Sequence, residues 1–172
     1  LEYKIQYAHW VVKKGFKVAH TSDDYGTQAG LFMSIDMWRK YFKPRLKKIW
    51  RIFKDAGMYV FHHSCGNIME IIPDMVDMGL DVLEPTQRVM DLPFLKREYG
   101  KHLTFWGGIG TQTVLPSGTP DDVRNEVSYV IETLGKEGGL IISPDQDVMA
   151  DVPVENIKAL VETIQEKRRT AL

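Results

Sequence analysis

The chain has 172 residues, enough for one well-buried core and too few for two ordinary domains. Its formal net charge of -1 gives no field for holding polyphosphate, which argues against nucleic acid as a partner. No apolar run approaches the roughly 20 residues that cross a bilayer, and the single cysteine cannot form an internal disulfide. These properties predict one globular domain in the cytoplasm and argue against a membrane protein.

Five short apolar runs predict β-strands, and the amphipathic segments between them predict helices. The predicted strands, in chain order, cover residues 16–22, 58–63, 81–84, 103–108 and 139–143. The chain opens inside an amphipathic pattern and without an initiator Met, so we expect it to be part of a longer protein.

Polar and helix-breaking residues predict where the helices begin and end. Ser34 is expected to cap a helix that Pro44 divides and that stops at Gly57. Asn67 and Glu70 have the spacing of a capping box at the start of the next helix.

Two further helices follow in the second half of the chain. Thr119 followed by Pro120 predicts the start of a helix that ends at Gly135. The last predicted helix covers residues 152–169.

Alternating strands and helices predict parallel strands joined by right-handed crossovers. Taken alone, the five units fit either a complete flavodoxin-like sheet or the later part of an eight-stranded (β/α) barrel. Both architectures place chemistry at the carboxyl ends of the strands, where polar side chains recur in this chain. They are Asp23, Asp24, Tyr25, His62, His63, Cys65, Glu84, Gln87, Gln112, Asp145, Gln146 and Asp147.

His63 and Cys65 flank one serine at the end of the second predicted strand. Imidazole and thiolate are good zinc ligands, and a short loop after a strand can aim both at one point. Zinc needs at least three protein ligands, so the spacing also fits a buried cysteine beside a histidine that bonds to backbone. A Cys–His nucleophile pair is a third interpretation, which the separation of two residues disfavours.

The segment DDYG at residues 23–26 supplies two adjacent carboxylates and a phenol. Asp24 and Tyr25 are candidate catalytic residues, because such groups can orient a substrate or accept a proton. The alternative is an ordinary loop after a strand, which Asp and Gly also favour. The segment GGIG at 107–110 does not predict a dinucleotide site, because no helix opens after it.

Three stretches resemble the later part of the uroporphyrinogen decarboxylase superfamily: HHSCGNIMEIIPDMVDMGLDVLEPTQ, FWGGIGTQTVLPSGTPDDVRNEV and GLIISPDQDVMADVPVENIKALVETI. A fourth, DDYGTQAGLFMSIDMWRKYFKPRLKKI, resembles its bacterial decarboxylase-like members, and the resemblance runs from about Ser22 to Lys167. It implies an α/β fold, the later part of a (β/α)8 TIM barrel about twice this length. Residues 1–172 would form the C-terminal portion of one such domain, with the N-terminal half of the same chain as a missing partner.

The resemblance implies two chemistries. One branch of the family decarboxylates a uroporphyrinogen-type tetrapyrrole without a metal. The other moves methyl groups between corrinoids and acceptors such as thiols, with zinc on a His-x-Cys pair that falls on His63 and Cys65. We favour zinc-assisted methyl transfer linked to a corrinoid on a partner protein. Metal-free decarboxylation and a non-catalytic binding barrel are the alternatives.

Two positions depart from the family pattern. Gln146 stands about where methyltransferases carry a third zinc cysteine, and Gly110 stands where relatives usually place an aspartate. We therefore expect an oxygen of Asp145, Asp147 or Glu84 as the third zinc ligand.

The remaining expectations concern the substrate and the partners. We predict a small-molecule substrate, an unpaired edge at the first strand and, for this chain alone, a homodimer. The predicted substrate-binding residues are Gln28, Glu84, Gln87, Trp106, Gln112 and Gln146.

Overall fold

The computed structural model describes residues 1–170, in which strands and helices alternate. The strands are β1 (Val18–Ser22), β2 (Tyr59–His63), β3 (Val82–Glu84), β4 (Thr104–Ile109) and β5 (Leu140–Pro144). The helices are α1 (Glu2–Lys13), α2 (Ile35–Tyr41), α3 (Lys43–Asp55), α4 (Ile72–Asp77), α5 (Leu92–Tyr99), α6 (Val114–Ser117), α7 (Pro120–Leu134) and α8 (Val154–Thr170). All five predicted strands are confirmed, with ends shifted by one or two residues.

The described residues divide into two compact units, one of residues 1–84 with 101–104 and one of residues 85–100 with those from 105 onward. In the first unit β1, β2 and β3 are parallel and lie in chain order. In the second unit β4 and β5 are parallel. The predicted α/β class with parallel, sequential strands is confirmed.

Strand register in the first unit brings polar side chains together at the carboxyl ends of its strands. Ser22 at the end of β1 lies opposite His63 at the end of β2, and His63 lies opposite Glu84 at the end of β3. Among the described residues β1 is the first strand of the sheet, so its outer edge is open, as expected from the sequence.

Helix α3 covers this sheet with one apolar face. Leu46, Ile49, Trp50 and Phe53 are all buried, and their spacing repeats every three or four residues. The helix packs against β2 and α1. None of the helices in the described part of the chain is long and apolar enough to span a membrane.

Two of the predicted helix starts are confirmed. The Ser34 hydroxyl accepts the N–H of Met37 at 3.2 Å and caps α2. Thr119 and Asp122 form a reciprocal capping box at the start of α7. Pro44 in the first turn of α3 divides the long helical segment, as its fixed φ predicts.

The capping box expected at Asn67 and Glu70 is wrong. The chain enters a 3-10 turn at Met69–Ile71 whose N-cap is Ile68, and no side chain caps that turn or α4. The Asn67 side chain accepts the N–H of Met69 at 3.3 Å, but its backbone N–H donates to the carbonyl of Thr27 at 2.8 Å. The backbone bond to the loop after β1 therefore replaces the reciprocal bond to Glu70 that a capping box requires.

In the second unit, a buried carboxylate ties β5 to β4. Asp145 is buried, and its Oδ1 accepts the N–H of Gly108 at 2.8 Å. A Cβ on Gly108 would lie 2.6 Å from Cγ1 of Val130 in α7. The strand therefore needs a glycine there for the helix to pack closely.

Candidate metal centre

The candidate site lies in the first unit, where the loops after β1 and β2 meet. A Cβ on Gly66 would lie 2.4 Å from the carbonyl carbon of Gly26, and a Cβ on Gly26 would lie 2.7 Å from the carbonyl oxygen of Cys65. Only glycine at both positions permits this approach. The contact brings Asp24 of the first loop beside Cys65 of the second, whose N–H donates to Asp24 Oδ1 at 2.9 Å.

Ser64 fixes the short loop between the two sequence-predicted ligands, His63 and Cys65. It is fully buried, and its N–H donates to the carbonyl of Glu84 at 2.8 Å. Its hydroxyl accepts the N–H of Tyr25 at 3.0 Å. Ser64 thus bonds to the end of β3 through its backbone and to the loop after β1 through its hydroxyl.

Three side chains come together around this loop. His63 Nε2 lies 3.5 Å from Cys65 Sγ and 3.5 Å from Asp24 Oδ1. One ligand atom from each residue lies within 4.8 Å of the others. With zinc bonds of about 2.0 Å to nitrogen or oxygen and about 2.3 Å to sulfur, tetrahedral ligand atoms are about 3.3–3.5 Å apart. The cluster therefore has the donor atoms of a zinc site, and the two distances from His63 Nε2 match the spacing of one.

The orientation of His63 is set by Glu84. Nδ1 of His63 lies 2.7 Å from Oε2 of Glu84, and both side chains are largely buried. Where Glu84 accepts a hydrogen bond from Nδ1, the neutral imidazole keeps its lone pair on Nε2. The hydrogen bond to Glu84 raises the pKa of His63, while burial opposes the rise.

His20 is a neighbour that sequence reasoning missed. Its Nε2 lies 3.4 Å from the same Oε2 of Glu84, and about half of its side chain is exposed. His20 and Ser22 alternate along β1, and Ser22 is in register with His63. This alternation along β1 could have pointed to His20 from the sequence. It places His20 near Glu84 only once the strand register is known, and the sequence does not give the register.

Tyr25 has the environment of a packing residue. Its ring is buried and meets Trp38 and Phe42 edge-on, at centroid distances of 5.8 and 5.5 Å. Burial raises the pKa of its phenol, and the nearby carboxylate of Asp23 adds to the rise. The catalytic role predicted for Tyr25 stays a prediction, and this setting favours a structural one.

The other predicted site residues are distributed over both units. Asp24, expected to act on substrate, joins the ligand cluster, while Glu84, expected to bind substrate or metal, contacts His63. Gln28 is exposed in the loop after β1. The residues of the second unit are Gln87, which is buried, Trp106, which is partly exposed, Gln112 and Gln146, which are exposed, and the candidate ligands Asp145 and Asp147. Their substrate or metal roles stay predictions.

Comparisons with known proteins agree on one family. The sequence profile described as Uroporphyrinogen decarboxylase (URO-D) matches residues 1–167. The chain is 28% identical over 161 residues to methylcobamide:CoM methyltransferase MtaA of Methanosarcina barkeri, covering 93% of this chain and 44% of that protein. It is 28% identical over 130 residues to uroporphyrinogen decarboxylase of Thermus thermophilus, covering 75% of this chain and 36% of that protein. The chain thus spans less than half the length of these relatives.

Solved structures show the same fold. A methyltransferase from Methanosarcina mazei matches with a TM-score of 0.72 at 26% identity, over 97% of this chain and 47% of that chain. A B12-independent methionine synthase from Shewanella matches with a TM-score of 0.64 over 98% of this chain and 54% of that one. Its identity of 12% shows the fold alone. The predicted fold class, part of a (β/α)8 barrel, is confirmed.

Proposed function

Because the chain belongs to the uroporphyrinogen decarboxylase (URO-D) family, we propose that it serves a corrinoid-linked methyl transfer with zinc on His63, Cys65 and Asp24. The observation that carries the proposal is the clustering of one imidazole, one thiol and one carboxylate at adjacent strand ends. The relative named methylcobamide:CoM methyltransferase supports a methylcorrinoid donor and a thiol acceptor.

The donor set fits a catalytic zinc site better than a structural one. Structural sites close around the ion with four protein ligands, whereas catalytic sites use three and leave one position open. Here one nitrogen, one sulfur and one oxygen are grouped. The Asp24 side chain is 59% exposed, so a small thiol would approach from its side.

The reaction needs a thiolate that is held in place. Bound zinc would supply Lewis acidity that favours the thiolate form of the acceptor near neutral pH. The thiol proton would leave to solvent, and the acceptor sulfur would attack the methyl carbon of the methylcorrinoid, so that a sulfur–carbon bond would form while the cobalt–carbon bond breaks. The electron pair of the broken bond stays on cobalt. His63, oriented by Glu84, and Asp24, oriented by the Cys65 N–H, would fix the position of the site.

Metal-free decarboxylation of a uroporphyrinogen-type tetrapyrrole remains the alternative, which the Thermus relative supports by name. A substrate with several carboxylates would need cationic side chains near the strand ends. Arg88, which follows β3, pairs with Glu126 at 3.2 Å, and its guanidinium lies 4.0 Å from the ring centre of Tyr129. Because Arg88 already contacts Glu126 and Tyr129, it is less available to bind a carboxylate of the substrate. This favours methyl transfer over decarboxylation.

The first test is metal content. Mass spectrometry of protein purified without chelators or a metal-binding tag should find about one zinc per chain. His63→Ala and Cys65→Ala should abolish binding, and Asp24→Asn should weaken it more than tenfold. Asp23→Asn is the matched control, because this neighbouring carboxylate pairs with Lys4 at 2.8 Å and is not in the cluster.

The second test is the reaction. Methylcobalamin and coenzyme M serve as donor and acceptor, and loss of the methylcobalamin absorbance reports transfer. Zinc below about one tenth of an equivalent in the wild type, with the variants equal to it, would overturn the proposal. Because this chain spans less than half the length of its relatives, the complete barrel is the protein to assay, and zinc binding there without methyl transfer would instead favour the non-catalytic binding barrel.

A further inference from the structure

We propose that a hollow in the second unit is a subsite for the amide side chains at the edge of the corrinoid, and that Glu126 and Arg88 are its specificity-determining residues. The subsite would accept a macrocycle edged with amides and reject one edged with carboxylates. The inference rests on the proposed function, because that function supplies the corrinoid.

The hollow has a volume of about 620 Å³ and lies beside the segment that follows β4. Its lining comes from that segment, from α6 and α7, and from the segment after β3. The lining residues with polar side chains are Arg88, Gln112, Thr113, Ser117, Asp122 and Glu126. All of them belong to the second unit. Because barrels carry their chemistry beyond the carboxyl ends of the strands, the edge of a substrate can lie here.

Glu126 and Arg88 form an ion pair in the wall of the hollow. Nε of Arg88 lies 3.2 Å from Oε1 of Glu126, and the guanidinium lies 4.0 Å from the ring centre of Tyr129. Only 16% of the Glu126 side chain is exposed. Burial raises the pKa of Glu126, and the positive charge of Arg88 opposes that rise. Two neighbours thus hold the guanidinium in place, and it still has more N–H donors than one carboxylate can accept.

Asp122 adds a second carboxylate one turn before Glu126 on α7. Its Oδ2 accepts the hydroxyl and the N–H of Thr119 at 2.7 and 2.8 Å, which leaves the other oxygen for a ligand. These hydrogen bonds lower the pKa of Asp122, so the group is ionised at neutral pH. The charged part of the lining therefore consists of two carboxylates and one guanidinium.

A neutral amide suits this lining better than a carboxylate does. The amide NH₂ group can donate to Glu126 or Asp122, and its carbonyl oxygen can accept from Arg88. A carboxylate has no proton to donate, and it would face two like charges against one opposite charge. Corrinoids carry amides around the ring, whereas a uroporphyrinogen carries carboxylates. The hollow would therefore select the first kind of macrocycle and exclude the second.

Two macrocycles with the same ring test the inference. Cobyric acid has amides on nearly all of its acidic side chains, whereas cobyrinic acid has carboxylates on all of them. Quenching of tryptophan fluorescence gives the dissociation constant of each from the complete barrel. The wild type should bind cobyric acid more tightly than cobyrinic acid. Glu126→Gln should lower this preference about tenfold, because it removes a like charge and frees Arg88 for a carboxylate.

Arg88→Gln should change the preference in the opposite direction. It removes the positive charge and should raise the preference for cobyric acid about threefold, a smaller factor because 40% of the Arg88 side chain is exposed. A general loss of stability would not produce opposite changes in the two variants. Glu155→Gln is the matched control and should leave the preference unchanged, because Glu155 is an exposed carboxylate on α8 outside the hollow. Arg88→Gln carries the test alone if circular dichroism shows that Glu126→Gln does not fold.

The results that would overturn the inference are distinct from those that would overturn the proposed function. Equal affinity of the wild type for the two macrocycles, or binding of neither, would overturn the inference. So would an unchanged preference in Glu126→Gln, or in Arg88→Gln where only that variant folds. Zinc binding and methyl transfer with an unchanged preference would defeat only the subsite. A wild type without zinc would defeat the proposed function, whereas the preference between the macrocycles does not depend on the metal and is measured separately.

Discussion

Thr21 and His62 are bonded in the core of the first unit, at 2.8 Å between the Thr21 hydroxyl oxygen and His62 Nδ1. The Nε2 atom of His62 has no hydrogen-bond partner among the described residues. Burial lowers the pKa of His62 to about 3, and the nearby His63 adds to the shift. The imidazole is therefore neutral in the folded protein over the whole physiological range.

Stability should fall in mild acid because of His62. Its pKa is lower in the folded state than the ordinary value of 6.5, so the unfolded chain takes up the proton first as the pH falls. The contribution is fully present above about pH 6.5 and is lost progressively toward about pH 3. His62→Phe, which removes the titrating group, should lose stability less steeply between about pH 7 and about pH 4.5. Urea unfolding followed by circular dichroism measures both slopes, and parallel slopes would contradict the prediction.

Gly66→Ala should damage the metal site more than the fold. Gly66 has a φ of +86° and would place a Cβ 2.4 Å from backbone of Gly26, so the two loops must separate. We expect a loss of about 1–3 kcal/mol in the free energy of unfolding and loss of zinc binding. Gly57→Ala is the matched control, because Gly57 has a φ of +70° with nothing within 4 Å of the added Cβ. Equal zinc content in the two variants would count against the loop contact as the cause.

Asp74→Asn should destabilise the first unit. Burial favours the neutral form of this carboxyl, but hydrogen bonds from Lys43 and Arg39 outweigh it and hold the pKa of Asp74 below its usual value. Its stabilising contribution is therefore present above the unfolded pKa and is lost as the pH falls through the folded one. We expect a loss of about 1–3 kcal/mol at neutral pH, measured by urea unfolding. A variant as stable as the wild type at neutral pH would show that the contacts of Asp74 with Lys43 and Arg39 do not stabilise the folded protein.

The open edge of β1 should promote self-association of this chain. Val18 on β1 and Trp10 on α1 are about half exposed and line a groove of about 520 Å³ in the first unit. Light scattering should show an apparent mass that rises with concentration, and Val18→Lys should suppress the rise. Val161→Lys, at an equally exposed position on α8, is the control and should have no effect. A wild type of constant monomeric mass would refute the prediction.

Much of the fold could be predicted because its signals are local. Ser34 and Thr119 are followed directly by the helices that they cap, and Pro44 interrupts the helix in which it lies. The capping box expected at Asn67 and Glu70 failed because the backbone N–H of Asn67 donates to Thr27 in the loop after β1, although its side chain still accepts the N–H of Met69.

The candidate site could be predicted only where it depends on one loop. His63 and Cys65 flank one serine, so their spacing made a metal pair one of three interpretations, and the family resemblance then favoured it. Asp24 and Cys65 are 41 residues apart along the chain and meet because two glycine-containing loops can touch. The register that sets His63 opposite Glu84 is likewise a property of the sheet. No residue pattern in the sequence reports either relationship.

Ser64 has a consequence for how an ion could enter and leave. Its backbone N–H and its hydroxyl are bonded to Glu84 and Tyr25, and neither bond uses an atom of the ligand cluster, so protein contacts alone can order the ligand loop. Metal sites that fold only around their ion lose structure when the ion is withdrawn. The ion should therefore exchange without a change in the protein fold. A chelator should remove it while the far-ultraviolet circular dichroism of the protein stays the same.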